Sequence, residues 1–205
     1  MDTDVIKIER TEVLSDDWYL LKKTTFTYRR LNGDSQTMTR ETYDRGNGAT
    51  ILLYNLQRRT VVLTRQFRYP TYVNGNTNGR LIEAAAGLLD NARPEERIAQ
   101  EVEEETGYSL TNVTPIFEAY MSPGSVTELL YFYSASYELS DRISKGGGNY
   151  AEGEDIEVIE LPFSEAIAMI QSGEICDGKT IMLLQYAALN IFQANTIKLA
   201  IDGDI

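Results

Sequence analysis

The order of strand-like and helix-like segments is the feature that most restricts the fold of this chain. Strand-type patterns occur at ATILLYN, TVVLTRQF, 80–84, 111–120, 127–138 and IEVIEL. Helical patterns are predicted near 94–106, 163–172 and 179–193. Because several strands are adjacent and helices interrupt them irregularly, we predict an α/β (α+β) fold with a mixed β-sheet sandwiched between helices.

Residues 5–44 read as an N-terminal β segment. Trp18 opens a strand, Asn32-Gly33-Asp34 is a hairpin turn, and TMTRETYDR is the returning strand. A two-stranded hairpin is marginal in water by itself, so the segment must pack on the core domain or on a second subunit. We therefore divide the chain into an N-terminal β segment (1–45), a core domain (46–195) and a C-terminal tail (196–205).

Charge and composition exclude several function classes. The formal net charge is −12 and no run is rich in Lys or Arg, which argues against nucleic-acid binding. A phosphate-bearing ligand would need divalent cations to offset the repulsion. The chain has no histidine, so Ser-His-Asp triads, Cys-His pairs and His-based zinc sites are excluded. A general base must then be a carboxylate, a lysine, a tyrosine or metal-bound water.

The sequence also indicates where in the cell the protein is located. No stretch approaches the roughly 20 apolar residues that a membrane span needs. The first residues, MDTDVIKIER, lack the basic and apolar regions of a secretory signal. Cys176 is the only cysteine, so no intramolecular disulfide can form. We expect a cytoplasmic protein with no membrane partner.

The predicted acidic helix PEERIAQEVEEET is a candidate site for binding a metal ion. Pro94 suits its first position and Gly107 suits its C-terminal cap, while Ile98 and Val102 mark a buried stripe. Glu101 and Glu105 are four apart and share a face, although like charges at this spacing destabilise a helix. Hard cations such as Mg²⁺ are held by carboxylates together with substrate phosphates. The plain alternative is a solvated acidic face.

The stretch GLLDNARPEERIAQEVEEETGY resembles the box of the Nudix hydrolases, G-x5-E-x7-R-E-U-x-E-E-x-G-U, where U is aliphatic or aromatic. The positions that match are Gly87, Glu101, Val102, Glu104, Glu105, Gly107 and Tyr108. There are three departures. Arg93 stands where a glutamate is expected, Gln100 stands where an arginine is expected, and the box is one residue short between Gly87 and Glu101. The two replaced positions usually support the loop or orient a ligand by a salt bridge.

Other stretches are similar to the bacterial GDP-mannose pyrophosphatases, which are related to the ADP-ribose pyrophosphatases. These include YDRGNGATILLYN, VVLTRQFR, YMSPGSVTELL and GEICDGKT. Pro123 lies sixteen residues beyond Gly107, a placement typical of the nucleoside diphosphate sugar branch. The resemblance implies Mg²⁺-dependent hydrolysis of GDP-mannose to GMP and mannose 1-phosphate, with Mn²⁺ as a possible substitute.

The resemblance also implies roles for individual residues. The expected metal ligands are the Ala86 carbonyl, Glu101, Glu105 and Glu154. Glu154 or Glu152 is the expected base, and Gly146-Gly147-Gly148 fits a loop that closes over substrate. The plain alternative for this acidic loop is solvation. The expected substrate contacts are Trp18, Thr39, Arg40, Glu41, Arg68, Ala86, Gly87, Leu88, Glu128 and Lys179.

Within that set, Trp18 is expected to stack on the nucleobase, and Thr39, Arg40 and Glu41 are expected to come from the partner subunit. The alternatives are that Trp18 is a core residue and that Arg40 forms a surface ion pair. The family further implies a homodimer with swapped N-terminal strands.

Two other functions remain open from the sequence. The first is hydrolysis of ADP-ribose, of another sugar nucleotide or of a dinucleoside polyphosphate. The second belongs to a different class. Arg93 and Gln100 could mark a degenerate box in a nucleotide-sugar-binding regulatory module without activity.

Overall fold

The structure is a computed structural model that describes residues 5–193. The predicted tail 196–205 and the side chain of Glu152 lie outside the described residues. The chain divides into two compact units. One comprises the chain up to Asn47 together with Tyr120–Leu129, and the other comprises Gly48–Ala119 and the chain from Leu130 onward.

The N-terminal unit is built on an antiparallel sheet of three strands in the order β1-β2-β3. The strands are β1 (Ile6–Asp16), β2 (Leu20–Arg29) and β3 (Ser35–Asp44). The predicted hairpin between β2 and β3 is confirmed, and β1 adds a strand that the sequence did not predict. The segment Tyr120–Leu129 joins this unit through Tyr43, whose N–H donates to the Ser125 carbonyl at 2.8 Å and whose carbonyl accepts from the Thr127 N–H at 3.1 Å.

The second unit contains a mixed sheet of seven strands. Its path runs β10-β5-β4-β9-β8, with β6 paired to β5 and β7 paired to β4. The strands are β4 (Gly48–Asn55), β5 (Thr60–Phe67), β6 (Arg80–Glu83), β7 (Ala85–Leu88), β8 (Thr114–Tyr120), β9 (Leu129–Ser136) and β10 (Glu157–Pro162). β4 and β9 are parallel, whereas the pairings of β4 with β5 and β7 are antiparallel.

Among the described residues, four α-helices accompany this sheet: α1 (Tyr69–Val73), α2 (Pro94–Thr106), α3 (Phe163–Ser172) and α4 (Gly178–Ala187). α4 continues into a π-helical turn, Ala188–Phe192. α2 packs against β4, β5 and β7, α3 packs against β5 and β10, and α4 packs against β4. Every residue of β4 except Tyr54 is buried, as expected for a strand covered on both faces. The predicted mixed α+β architecture is confirmed.

The core beneath α2 is apolar and aromatic. Ile98 and Val102 are fully buried, which confirms the predicted stripe. They lie in a cluster with Ala49, Ile51, Leu53, Val62, Ala85, Tyr108, Tyr133, Ala135 and Tyr137. In the part of the chain that the structure describes, no helix is long and apolar enough to cross a bilayer.

Candidate active site

The helix α2 places two carboxylates against the body of the protein. It begins with Pro94 and ends at Gly107, which adopts the left-handed conformation with φ 78°. Because Ile98 and Val102 face the sheet, the neighbouring Glu101 and Glu105 are drawn into the protein and are only 6% and 2% exposed. Ionised carboxylates are rarely buried so deeply without partners. The solvated acidic face therefore does not describe this pair.

One carboxylate oxygen of Glu105 is buried and points to a cation as its partner. Among the described residues, its buried Oε2 has no hydrogen-bond partner. Burial and the nearby charge of Glu101 raise the pKa of Glu105 to about 8, against the opposing charge of Arg68. A cation beside Oε2 would relieve both the unmet hydrogen bond and the repulsion.

Gly87 closes one side of the Glu101 carboxylate. A Cβ atom at position 87 would lie 2.0 Å from Glu101 Oε1 and 2.1 Å from Cδ. Only glycine leaves room for the carboxylate at this point on β7. The opening glycine of the predicted box thus has a steric reason to be there.

We expect Gly87→Ala to displace the Glu101 carboxylate and lower kcat about a hundredfold or more, because a shift of about 1 Å in a catalytic group can cost this much. Steady-state kinetics at saturating Mg²⁺ measure the change. Gly124→Ala is the matched control, since a Cβ there would meet no atom of the described residues within 4 Å. Wild-type kcat in Gly87→Ala would contradict the role given to the close contact.

A second side of Glu101 is held by an arginine that the sequence did not single out. Arg97 Nη2 lies 2.5 Å from Glu101 Oε1, and Arg97 Nε donates to the Leu88 carbonyl at 3.1 Å. Gln100, at the position where an arginine was expected, is exposed. Arg93 is also exposed and pairs with Glu96 at 2.6 Å. The salt bridge to Glu101 therefore comes from Arg97, whereas Arg93 pairs with Glu96.

Glu83 at the end of β6 organises two predicted substrate contacts. Arg68 donates to it through Nε at 2.9 Å and Nη2 at 3.0 Å, and Lys179 Nζ donates at 2.7 Å. Burial alone would raise the pKa of Glu83, but the charges of Lys179 and Arg68 and their hydrogen bonds hold its pKa below the ordinary value. Glu83 was not predicted from the sequence, although a lone acid within the apolar run RLIEAAAG was a usable signal.

Asp177 fixes Lys179 and the start of α4. Its side chain caps the helix by accepting from the Thr180 N–H at 3.0 Å, and it lies 3.1 Å from Lys179 Nζ. Thr180 Oγ1 in turn accepts from the Ala84 N–H at 2.7 Å, next to Glu83. These bonds tie the lysine, the helix and strand β6 into one arrangement.

The glycine-rich loop carries Glu154 toward the end of α2. The N–H groups of Gly147 and Gly148 donate to the carbonyls of Glu105 and Glu104 at 2.9 and 3.0 Å. Glu154 Oε2 accepts from the Asn149 N–H at 2.7 Å. The Glu154 charge contributes to the raised pKa of Glu105, after burial and Glu101. The loop is thus anchored in this structure, and its closure over substrate stays a prediction.

The described side chains do not form a complete carboxylate cage. No group of three or more Cys, Asp or Glu side chains among them could hold a metal ion as it stands. This does not disqualify the site, because Mg²⁺ keeps several waters and usually takes one or two carboxylates together with substrate phosphates. Glu101, Glu105 and the backbone at Ala86 suit such an open site.

The remaining predicted contacts belong to the N-terminal unit. Trp18 is 79% exposed, so it is not a core residue. Arg40 donates to the Thr39 carbonyl at 2.8 Å and, with Glu41, lines a cavity of about 540 Å³ against Pro123–Thr127. Thr39 Oγ1 lies 3.1 Å from Thr25 Oγ1. Glu128 is half-buried and pairs with Arg45 at 3.4 Å.

Comparison with known proteins identifies the family. The chain is 59% identical over 184 residues to a GDP-mannose pyrophosphatase of Pectobacterium atrosepticum, covering 90% of this chain and 94% of that one. It is 56% identical over 192 residues to one from Yersinia pestis, covering 93% and 96%. The chain belongs to the GDP-mannose pyrophosphatase family of Nudix hydrolases. Residues 5–43 also match the model of the GDP-mannose pyrophosphatase NudK N-terminal domain.

Membership of this family agrees with the fold. The crystal structure of an ADP compounds hydrolase superposes on the whole chain with a TM-score of 0.67, at 14% identity and with 100% of both chains covered. At this identity the likeness speaks for the fold alone. Nudix hydrolases generally use a divalent metal. Such a metal fits Glu105 Oε2, which has no hydrogen-bond partner within residues 5–193 that the structure describes.

Proposed function

We propose that the protein hydrolyses the diphosphate bond of GDP-mannose to GMP and mannose 1-phosphate, with Mg²⁺ as the metal and Mn²⁺ as a substitute. The observation that carries this proposal is the buried pair Glu101 and Glu105, with an oxygen of Glu105 left for a cation. The substrate comes from the relatives, which are named for this activity.

In this proposal Glu101, Glu105, Glu154 and the Ala86 carbonyl would hold the cation. A bound divalent cation neutralises the linked phosphates and acidifies water. Glu154 lies close enough to influence the charge of Glu105, and repositioning of its carboxylate from the Asn149 N–H would bring it into the ligand set.

The basic side chains would bind the diphosphate. The planar guanidinium of Arg68 suits bidentate contact with phosphate oxygens, and Lys179 adds a second cation. Glu83 holds both cations together before substrate arrives, so little ordering is left for binding. Gly87 lies against Glu101, and the Leu88 carbonyl accepts from Arg97, which supports substrate contacts of these two residues next to the proposed metal ligands.

The chemical step is attack of water on one phosphorus. The water oxygen forms a new P–O bond, the bond from that phosphorus to the bridging oxygen breaks, and the bridging oxygen leaves with the other phosphate. A carboxylate, Glu154 or Glu152, accepts the proton from the attacking water. With no histidine in the chain, a carboxylate is a suitable acceptor for it.

The test is product analysis with GDP-mannose and ADP-ribose side by side, with and without Mg²⁺. We expect GMP and mannose 1-phosphate only when Mg²⁺ is present, and much slower release of AMP from ADP-ribose. Faster cleavage of ADP-ribose than of GDP-mannose would contradict the proposed substrate. Binding of GDP-mannose without any release of phosphomonoester would support an inactive regulatory module instead.

The base is tested by comparing two neighbours. We expect Glu154→Gln to lower kcat by at least a hundredfold, because it removes a proposed metal ligand as well as a proposed general base, whose loss typically costs about 10² to 10⁴. Glu152→Gln is the matched control in the same loop and is expected to change kcat less than tenfold. The reverse order would make Glu152 the base. If both substitutions lowered kcat only slightly and equally, neither Glu154 nor Glu152 would be the base.

We also propose that the protein is a homodimer in the cytoplasm, joined through the N-terminal unit. β1 lies at the edge of its sheet and is exposed along its whole length, including Ile6, Ile8 and Val13. An exposed apolar edge strand is a template for pairing with another chain. In such a dimer Trp18 would stack on the base and residues 39–41 would reach the partner's substrate. A monomeric mass by light scattering would refute the dimer.

A further inference from the structure

We infer that Arg97 is the positioning residue for Glu101, and that it supplies from position 97 the salt bridge that the Nudix pattern leads one to expect from position 100. The inference rests on the metal site of the proposed function, since Glu101 is one of its proposed ligands. Its evidence is the geometry of three groups around one guanidinium: the Glu101 carboxylate, the Leu88 carbonyl and the Asp90 carboxylate.

Helix geometry favours position 97 over position 100. Residues four apart on an α-helix share a face, whereas adjacent residues do not. Arg97 and Glu101 are four apart and their side chains meet at 2.5 Å. Gln100 is adjacent to Glu101 and is exposed to solvent. An arginine at position 97 is therefore better placed to hold Glu101 than one at position 100 would be.

The Arg97–Glu101 pair is shielded from solvent, so the loss of either partner is expected to have a large effect. The Arg97 side chain is 22% exposed and that of Glu101 is 8% exposed. Exposed ion pairs contribute little, but removing one partner of a buried pair leaves an uncompensated charge. By contrast, the Arg93–Glu96 pair on the same helix has side chains that are 75% and 55% exposed.

Arg97 also ties α2 to the strand that precedes it. Its Nε donates to the carbonyl of Leu88, the last residue of β7, and its Nη2 lies 4.0 Å from Asp90. Asp90 and Asn91 have positive φ angles of 45° and 70°, so the chain turns sharply just after this contact. One guanidinium thus links the end of β7, the turn and Glu101.

The Glu101 carboxylate is consequently held from two directions. Gly87 approaches Oε1 from β7, and Arg97 binds the same oxygen from one helical turn earlier. Outer partners of metal ligands fix ligand orientation, and their loss typically costs about 10- to 100-fold in metal affinity or activity. Loss of Arg97 should therefore weaken cation binding even though Arg97 is not itself a ligand.

The experiment compares Arg97→Gln, Arg97→Lys and Arg93→Gln in the full chain. The Mg²⁺ concentration that gives half of the maximal rise in Tm is measured for each variant without substrate. We expect this midpoint to rise about tenfold or more in Arg97→Gln. It should rise less in Arg97→Lys, which keeps the charge but loses the fork, and stay within twofold in Arg93→Gln. Gln100→Arg added to Arg97→Gln should not restore the midpoint.

The outcomes separate this inference from the proposed function. If wild-type protein shows no rise in Tm with Mg²⁺, the proposed metal site and this inference both fail. If wild type responds and Arg97→Gln has the same midpoint as Arg93→Gln, only the role of Arg97 fails. A lower Tm without Mg²⁺ but an unchanged midpoint would mean a purely structural role and also overturns it. If Arg97→Gln does not fold, an unaltered midpoint in Arg97→Lys refutes the positioning role.

Discussion

Replacing Glu101 or Glu105 by glutamine is expected to lower turnover about a thousandfold, since a metal ion that stabilises transition-state charge contributes several kcal/mol. The fold should persist, because glutamine matches glutamate in shape and Ile98 and Val102 hold the helix in place. Steady-state kinetics with GDP-mannose at saturating Mg²⁺ measure the effect, and circular dichroism checks the fold.

A control on the same helix makes this result specific. Glu103→Gln removes the same charge, but Glu103 is exposed, so its turnover should stay within about twofold of wild type, in keeping with the small effect of exposed charges. If Glu101→Gln or Glu105→Gln retained near-normal turnover, the metal role assigned to that residue would be wrong. If Glu103→Gln lowered turnover equally, the losses in Glu101→Gln and Glu105→Gln would be due to the change in net charge and not to the buried pair.

Without divalent cations, the protein is expected to lose stability as the pH rises from about 5 to 8. Glu105 has its pKa raised from 4.5 to about 8 by burial and by Glu101. In this window the unfolded chain has released the proton while the folded protein keeps it. The free energy of unfolding therefore falls as the pH rises. Each pKa unit corresponds to about 1.4 kcal/mol, so the effect amounts to several kcal/mol.

Urea unfolding in EDTA at pH 5, 6.5 and 8 measures this dependence. Glu105→Gln should show a much weaker pH dependence and should be more stable than wild type at pH 8, because it carries no buried charge there. Glu83 does not interfere. Its pKa is lowered, so the stability that it contributes is lost only as the pH falls below this window. Parallel curves for wild type and Glu105→Gln would contradict the assignment.

Local signals predicted the helix that carries Glu101 and Glu105, but they did not predict β7, which carries Ala86. Pro94, Gly107 and the Ile98–Val102 stripe fixed α2 to the residue, because caps and periodicity are properties of neighbouring residues. Strands β4 and β5 were equally clear from their apolar, β-branched runs. The mixed sheet followed from the order of these elements.

Contacts that depend on tertiary structure could not be predicted in the same way. Glu83 accepts hydrogen bonds from Arg68 and Lys179, and Lys179 is too distant in the sequence for this contact to be predicted. Arg97 was not predicted to contact Glu101, because the family pattern has its arginine at position 100. β1 and α1 were missed because one is exposed throughout and the other lies in a stretch rich in Asn and Gly.

The membership of Tyr120–Leu129 in the N-terminal unit has a practical consequence. A deletion of the first 47 residues would leave the Ser125 carbonyl and the Thr127 N–H without the Tyr43 backbone to which they bond. The connection between β8 and β9 thus depends for two backbone hydrogen bonds on the last part of β3, far away in the sequence. Grafting that sheet onto another hydrolase would thus require transplanting two separate stretches of the gene.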